Sequence, residues 1–411
     1  MSGESGAEPD TIIKQLHDIL DREHGLRELL EKSLQQASLR AQESLNGDLY
    51  QALDWPTTLG EYDDYLSGFI RWIPRQTDAP AWKTTAPHQR YAKEVSDRLA
   101  HFFWLVDQKV GDGDDQAIAE RSSVFRSWLT TFARTWGNFL DTPESFDDEI
   151  LQSFLQDAPE YTIEESLING RPNMPSGWRT FNQFFARELN PGLRPIAAPG
   201  ENRVVTSPAD CSFQHAYDIS ADSEIPATTI KGTHRYGNIA QLLDGSRYAN
   251  AFANGTFVHY MLPPSAYHRY HVPVSGTVEE SFVIQGQVYM QVDLEDHALQ
   301  ARDSTSSGYE FFQTRGVLIL DTSRSGHGDL GLVGVVPVGM SNVASVTLST
   351  VVGTQVVKGE EFGYFQFGGS DIIILFQEGI EPTVDTDSEP RRMGSVVARV
   401  DGRGGRHRSD G

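Results

Sequence analysis

Apolar positions follow a helical rhythm along the first part of the chain and a strand-like one along the rest. Ile12, Ile13, Leu16, Ile19 and Leu20 recur at three- and four-residue intervals, and Leu26, Leu29, Leu30 and Leu34 continue the pattern. That spacing gathers the side chains into one stripe on a helix of 3.6 residues per turn. Thr58-Leu-Gly-Glu61 is a capping-box sequence ahead of Tyr62, Tyr65, Ile70 and Trp72, since hydroxyl and carboxylate can each satisfy an amide left open at a helix start. Further amphipathic stretches run near Tyr91–Val106, Ala117–Leu140 and Phe146–Leu155, separated by Pro74–Pro87, Gly111–Asp115 and Pro172–Pro175. The aromatic stripes on these segments predict helix–helix packing.

After Thr180 the pattern shortens. Phe257–Leu262, Val278–Ile284, Val288–Val292, Val317–Leu320, Leu330–Val338, Val343–Val352 and Ile372–Phe376 are β-type runs bounded by Gly, Pro or Asp. Few helical stretches separate them, which disfavours βαβ winding and predicts an antiparallel or mixed β core. Composition agrees: all seven Trp precede residue 180, whereas only 11 of the 37 Gly do. The expected fold class is α+β. A helical segment spans 1–48, a helical domain 49–177 and a β-rich domain 178–400, with a disordered glycine-rich tail at 401–411.

Charge narrows the partners. Lys and Arg number 34 against 57 Asp and Glu, a formal net charge of −23, which argues against nucleic acid and against electrostatic docking on anionic lipid. Cys211 is the one cysteine, so an internal disulfide and a cysteine-based zinc site are excluded, and a small buried thiol is expected. No apolar run reaches membrane length and Met1–Asp10 lacks a signal-peptide pattern, so a soluble, cytoplasmic protein is expected.

Three segments of the β part carry candidate chemistry: Ser207-Pro-Ala-Asp210, Tyr267-His-Arg-Tyr-His271 and Phe367-Gly-Gly-Ser370. Asp, His and Ser are the parts of an orienter–base–nucleophile relay. Gly368 and Gly369 place side-chain-free backbone just ahead of Ser370, so the hydroxyl can approach the Gly369 carbonyl. Attack there gives an ester by N-to-O acyl shift. Elimination then cuts the chain and leaves dehydroalanine, which hydrolyses to a pyruvoyl group.

The ordered motifs Phe184–Ile196, Ser207–Asp210, Ile230-Lys-Gly232, Tyr267–His271, Pro337-Val-Gly339, Lys358–Glu361 and Phe367–Ser370 resemble the phosphatidylserine decarboxylase family over roughly Trp178 to Phe376. The helical part resembles the extension in soluble branches of that family, which include fungal tryptophan decarboxylases. The resemblance implies a β-sandwich-like core and a pyruvoyl group derived from Ser370. It implies cleavage between Gly369 and Ser370, giving chains of 369 and 411 − 369 = 42 residues. It further implies that His271 is the base for Ser370, that Asp210 orients His271, and that His268 serves the decarboxylation step. The substrate amine would condense with the keto carbon as a Schiff base, with no external cofactor or metal. Asp371 departs from the family pattern, which has Thr or Ser there; a carboxylate beside a developing oxyanion is unfavourable unless it points away.

The charged first segment, Thr11–Gln42, and the overall negative charge favour a free amino acid, aromatic ones included, over phosphatidylserine as substrate. Phosphatidylserine remains the alternative. Two other classes stay open: a hydrolase with an intact chain, against which no G-x-S-x-G elbow surrounds Ser370, and an unprocessed scaffold disabled by Asp371. His268 and His271 form H-x-x-H, but the flanking prolines disfavour a helix and no metal is expected. Lys358–Glu361 reads as a solvated turn, Gly359 as turn punctuation, and His215, His234 and His259 as structural or surface residues.

Overall fold

The computed structural model describes residues 9–82, 94–110, 117–230, 234–288, 290–301, 309–339, 346–368 and 370–401. Gly369, Lys231, Gly232 and the glycine-rich tail beyond Asp401 lie outside them. Helices α1 (Pro9–Arg22), α2 (Leu26–Ser44), α3 (Gly47–Ala52), α4 (Leu59–Phe69), α5 (Glu94–Trp104), α6 (Ile118–Arg121), α7 (Ser123–Phe139), α8 (Asp148–Asp157) and the short α9 (Phe181–Phe185) form the first part.

Their starts are set locally. Thr58 Oγ1 accepts from Glu61 N at 3.3 Å while the Glu61 carboxylate accepts from Thr58 N at 3.1 Å, completing the capping box of α4. Asp147 does the same one-sided job for α8, accepting from Ile150 N at 2.9 Å. The stripes then pack on one another: the Phe102 ring lies 4.7 Å from Phe69 and 5.2 Å from Phe132, centroid to centroid. Buried indoles find backbone acceptors, as when Trp128 donates to Ile12 O at 2.9 Å and Trp136 to Trp72 O at 2.8 Å.

The β part is built on a seven-stranded antiparallel sheet. Its strands are β1 (Ser212–Asp218), β2 (Thr256–Leu262), β3 (Gly276–Ile284), β4 (Arg315–Asp321), β5 (Leu332–Gly339), β6 (Gln355–Val356) and β7 (Ser370–Phe376). Their order across the sheet is β6-β3-β4-β5-β7-β2-β1. β7 is buried along its whole length, between β5 (Gly339 opposite Ser370) and β2 (Leu262 opposite Ser370). Successive side chains leave opposite faces of a strand. Ile372, Ile374 and Phe376 enter a core shared with Tyr270, Phe362 and Phe365 of a second, three-stranded sheet. Ile373 and Leu375 enter the core on the other face, with Phe257, Ile319 and Val336.

Two apolar runs behave differently from the expectation of plain strands. Val288, Met290 and Val292 join the helical core, and the strand itself starts at Val292 and ends at Glu295, paired with Ala298–Ala301. Of Val343–Val352, the described strand is Val346–Leu348, and Val351 and Val352 are exposed. The helices and the β part also share hydrogen bonds, such as Val292 N to Asp107 Oδ2 at 3.0 Å. Among the described residues, no helix is long and apolar enough to cross a membrane.

Candidate active site

Ser370 opens β7 and is fully buried. By strand alternation its side chain leaves the same face as Ile372, and there the hydroxyl meets His268, with Nδ1 3.2 Å from Oγ. His268 Nε2 lies 3.2 Å from Pro264 O. A carbonyl can only accept, so Nε2 carries the proton and Nδ1 accepts from the serine. The imidazole is fully buried, and burial, with the nearby Arg187 charge, pushes its pKa down to about 3. It is therefore a neutral ring.

Helical residues form the roof. Phe185, the last residue of α9, stacks on His268 with centroids 4.1 Å apart. Phe367, three positions before Ser370, sits edge-on to Trp136, Phe181 and Phe185 at 5.5, 5.1 and 5.1 Å. Its amide donates to Asn182 Oδ1 at 3.3 Å. The segment leading to Ser370 is thus held by α7 and α9, although Phe367 itself belongs to the β part in sequence.

The second histidine and the carboxylate are near but not joined. His271 Nδ1 is 2.9 Å from Gly359 O, which assigns the proton to Nδ1, and Nε2 accepts from the Tyr267 hydroxyl at 3.1 Å. Asp210 is engaged elsewhere: Arg194 Nε and Nη2 donate to its two oxygens at 2.9 and 2.5 Å, and Met393 N donates at 2.7 Å. Among the described residues Asp210 thus makes no direct hydrogen bond with His271, whose two ring nitrogens are engaged by Gly359 O and the Tyr267 hydroxyl. Burial lowers the His271 pKa, while the Gly359 carbonyl and the Asp210 charge act in the opposite sense.

Asp371 points away from Ser370, as strand alternation requires. Its Oδ2 lies 3.0 Å from His259 Nε2, and both side chains are fully shielded from solvent. Burial disfavours the charged imidazole, but the Asp371 carboxylate, with buried Glu310 behind it, outweighs that and holds the His259 pKa above its ordinary value. Burial raises Glu310 to about 7. The carboxylate thus faces the His259 imidazole and not the reacting carbonyl side.

Lys358 and Gly359 are more than turn residues. Lys358 is buried, and its ammonium donates to Ala198 O, Glu201 O and Val204 O at 2.8, 2.5 and 2.6 Å. Gly359 has φ +86°, and a Cβ there would stand 2.5 Å from Ile196 Cδ1; its carbonyl is the one that fixes the His271 tautomer. A Lys-Gly pair next to a Glu pair gives no local signal of either role. Cys211 is the small buried residue expected; burial pushes its thiol up to about 12, and its Sγ lies 3.2 Å from Ser207 Oγ.

Known proteins carry the same pattern. The phosphatidylserine decarboxylase family model matches residues 181–399. The phosphatidylserine decarboxylase proenzyme 2 of Oryza sativa subsp. japonica is 32% identical over 61% of this chain, a match covering 36% of that protein's length. The decarboxylase iboD of Amanita muscaria is 27% identical over 68% of this chain and 85% of its own length. The phosphatidylserine decarboxylase proenzyme of Clostridium perfringens strain SM101 is 32% identical over 63% of this chain and 78% of its own. The chain belongs to the phosphatidylserine decarboxylase family, a family of carboxy-lyases.

Proposed function

We propose that this chain is a self-processing, pyruvoyl-dependent decarboxylase that cuts itself between Gly369 and Ser370 and then removes the carboxyl group of an amino acid. The observation that carries the reading is the Ser370 hydroxyl, wholly buried at the head of the central strand and hydrogen-bonded to a neutral His268 at 3.2 Å.

In the proposed cleavage, Ser370 Oγ gives its proton to a base, attacks the Gly369 carbonyl carbon and displaces its own amide nitrogen, leaving an ester. Removal of the Ser370 Cα proton expels the Gly369 carboxylate and leaves dehydroalanine. Water then converts this to a pyruvoyl group, still amide-linked to Asp371, as ammonia departs. His268 is well placed to orient the hydroxyl, but a ring with a pKa near 3 is a poor proton sink. Burial and the Arg269 charge lower the His271 pKa too, while the Gly359 carbonyl and the Asp210 charge oppose them. The family resemblance gives the proton acceptance to His271, with Asp210 acting through its field, and gives the decarboxylation step to His268, which touches the reacting position and, being neutral, orients the reacting groups there.

The surroundings suit a pyruvoyl group formed in place: its precursor is Ser370 itself, and Phe185, Phe367 and His268 wall the position off from water. Once formed, the group supplies a carbonyl that accepts the electrons released with carbon dioxide. The chain's own residues orient the substrate and keep the site dry.

A free amino acid is the first substrate reading, supported by the helical roof over Ser370. Phosphatidylserine is the second, supported by the names of the rice and Clostridium relatives. Intact mass of the purified protein tests the core of the proposal. Two polypeptides of 369 and 42 residues, the smaller with a blocked, ketone-bearing start, are expected. One uncut chain without decarboxylase activity overturns it. A panel of free amino acids against phosphatidylserine vesicles then decides the substrate, and turnover of vesicles alone selects the second reading.

A further inference from the structure

Arg187 follows α9 by two residues and is 2% exposed. Its Nη2 donates to Tyr161 O at 2.5 Å, and its guanidinium carbon lies 5.6 Å from the centre of the Phe184 ring. Nε and Nη1, both buried, have no hydrogen-bond partner among the described residues. A guanidinium with two donors unsatisfied away from water is destabilising unless something else needs it. Its place in the fold says what that is. Phe185 stacks on His268, and Ala186 O accepts from Arg269 Nε at 2.8 Å. Residues 185–187 are therefore laid along the 268–269 segment, beside the ring that holds Ser370.

We propose that Arg187 is the subsite for the substrate's α-carboxylate, its free Nε–H or Nη1–H, paired with the second N–H of Nη2, waiting for the carboxylate oxygens of an amino acid or of a serine headgroup. This rests on the decarboxylase reading and deepens it. The planar guanidinium presents paired donors that match a carboxylate, and the apolar walls at Phe184 and Phe185 strengthen the attraction by excluding water. Asp210 and Glu165, whose charges reach Arg187, are both bound by Arg194, and neither is hydrogen-bonded to Arg187. The same arrangement favours turnover. The amine product lacks the anion, leaves the guanidinium unpaired again, and so binds more weakly than the substrate did.

The test separates this proposal from the one it rests on. In the uncut Ser370→Ala protein, sodium acetate is expected to raise Tm above a sodium chloride control of equal ionic strength. Arg187→Met should abolish the difference, and Arg187→Lys should keep part of it. In the processed enzyme, Arg187→Met should raise KM for the amino acid roughly tenfold or more. The small chain should still form, and borohydride trapping of phenethylamine, which has no carboxylate, should fall far less than amino-acid turnover. An acetate shift that survives Arg187→Met, or an unchanged KM, overturns the proposal. If wild-type protein is never cut and never traps phenethylamine, the decarboxylase reading fails, yet the acetate shift still decides whether Arg187 receives a carboxylate. Should Arg187→Met be too unstable to purify, the guanidinium is a structural element and the proposal falls, unless the Arg187→Lys protein folds and shows the reduced acetate response expected of it.

Discussion

The Asp371 carboxylate lies 3.0 Å from the His259 imidazole, with both side chains closed off from solvent on the sheet face that Ser370 does not use. Breaking a buried pair by removing one partner costs about 3–5 kcal/mol. Asp371→Asn should therefore lower the stability of the Ser370→Ala protein by an amount of that order. Because the folded-state pKa of His259 is raised, the pair's stabilisation is fully present below the ordinary histidine value and is lost as pH climbs through the raised one. Urea denaturation between mildly acidic and alkaline pH should show that loss in the parent and not in Asp371→Asn.

The two histidines of the Tyr267–His271 segment should separate by mutation. His271→Ala is expected to leave a single uncut chain. His268→Ala is expected to be cut, though more slowly, and to decarboxylate at least about 100-fold more slowly, because the group that touches the reacting position is gone. Gel electrophoresis with time and a carbon dioxide release assay read the two steps independently. The opposite pattern would give the proton acceptance to His268.

Trp136 and Phe367 bind the cleavage segment to α7. Trp136→Ala opens a cavity beside Phe367, and truncation of a buried tryptophan costs about 3–5 kcal/mol. The expected outcome is a lower Tm together with slower appearance of the small chain. Leu129→Ala, on the same helix and buried, should lower Tm with little effect on cleavage.

Lys358→Met should leave the buried Val204 carbonyl short of a donor, while Ala198 O and Glu201 O keep backbone amides as partners. An unsatisfied buried group costs about 1–3 kcal/mol, so a loss of that order is expected by urea titration. The ammonium is held at the turn that carries Gly359, and the variant should also retard cleavage through His271.

What sequence made legible was local. The capping box of α4 needs Thr58 and Glu61 alone, and the proposed acyl shift is suggested by Gly-Gly-Ser within three residues. What stayed hidden depends on register and on distant chain. His259 reaches Asp371 only because β2 pairs with β7 so that His259 stands opposite Ile373, which no spacing along the chain reveals. Lys358 looks like a surface turn until the carbonyls of Ala198, Glu201 and Val204 converge on it. The Asp210–Arg194 pair likewise comes from two motifs whose contact is tertiary. Phe367 was legible as part of the serine motif but not as a member of the helical core.

The strand that begins with Ser370 lies inside the large sheet and is zipped to a neighbour on each side, while Phe367 anchors the residues before it among the helices. Scission at that junction would free neither end. It would, however, turn a unimolecular fold into a two-piece complex. Once melted, such a protein could regain its shape only by a concentration-dependent encounter, with the smaller piece threading a slot that closed around it during the first folding. Maturation would then be a ratchet: the precursor refolds on dilution, and the finished protein does not.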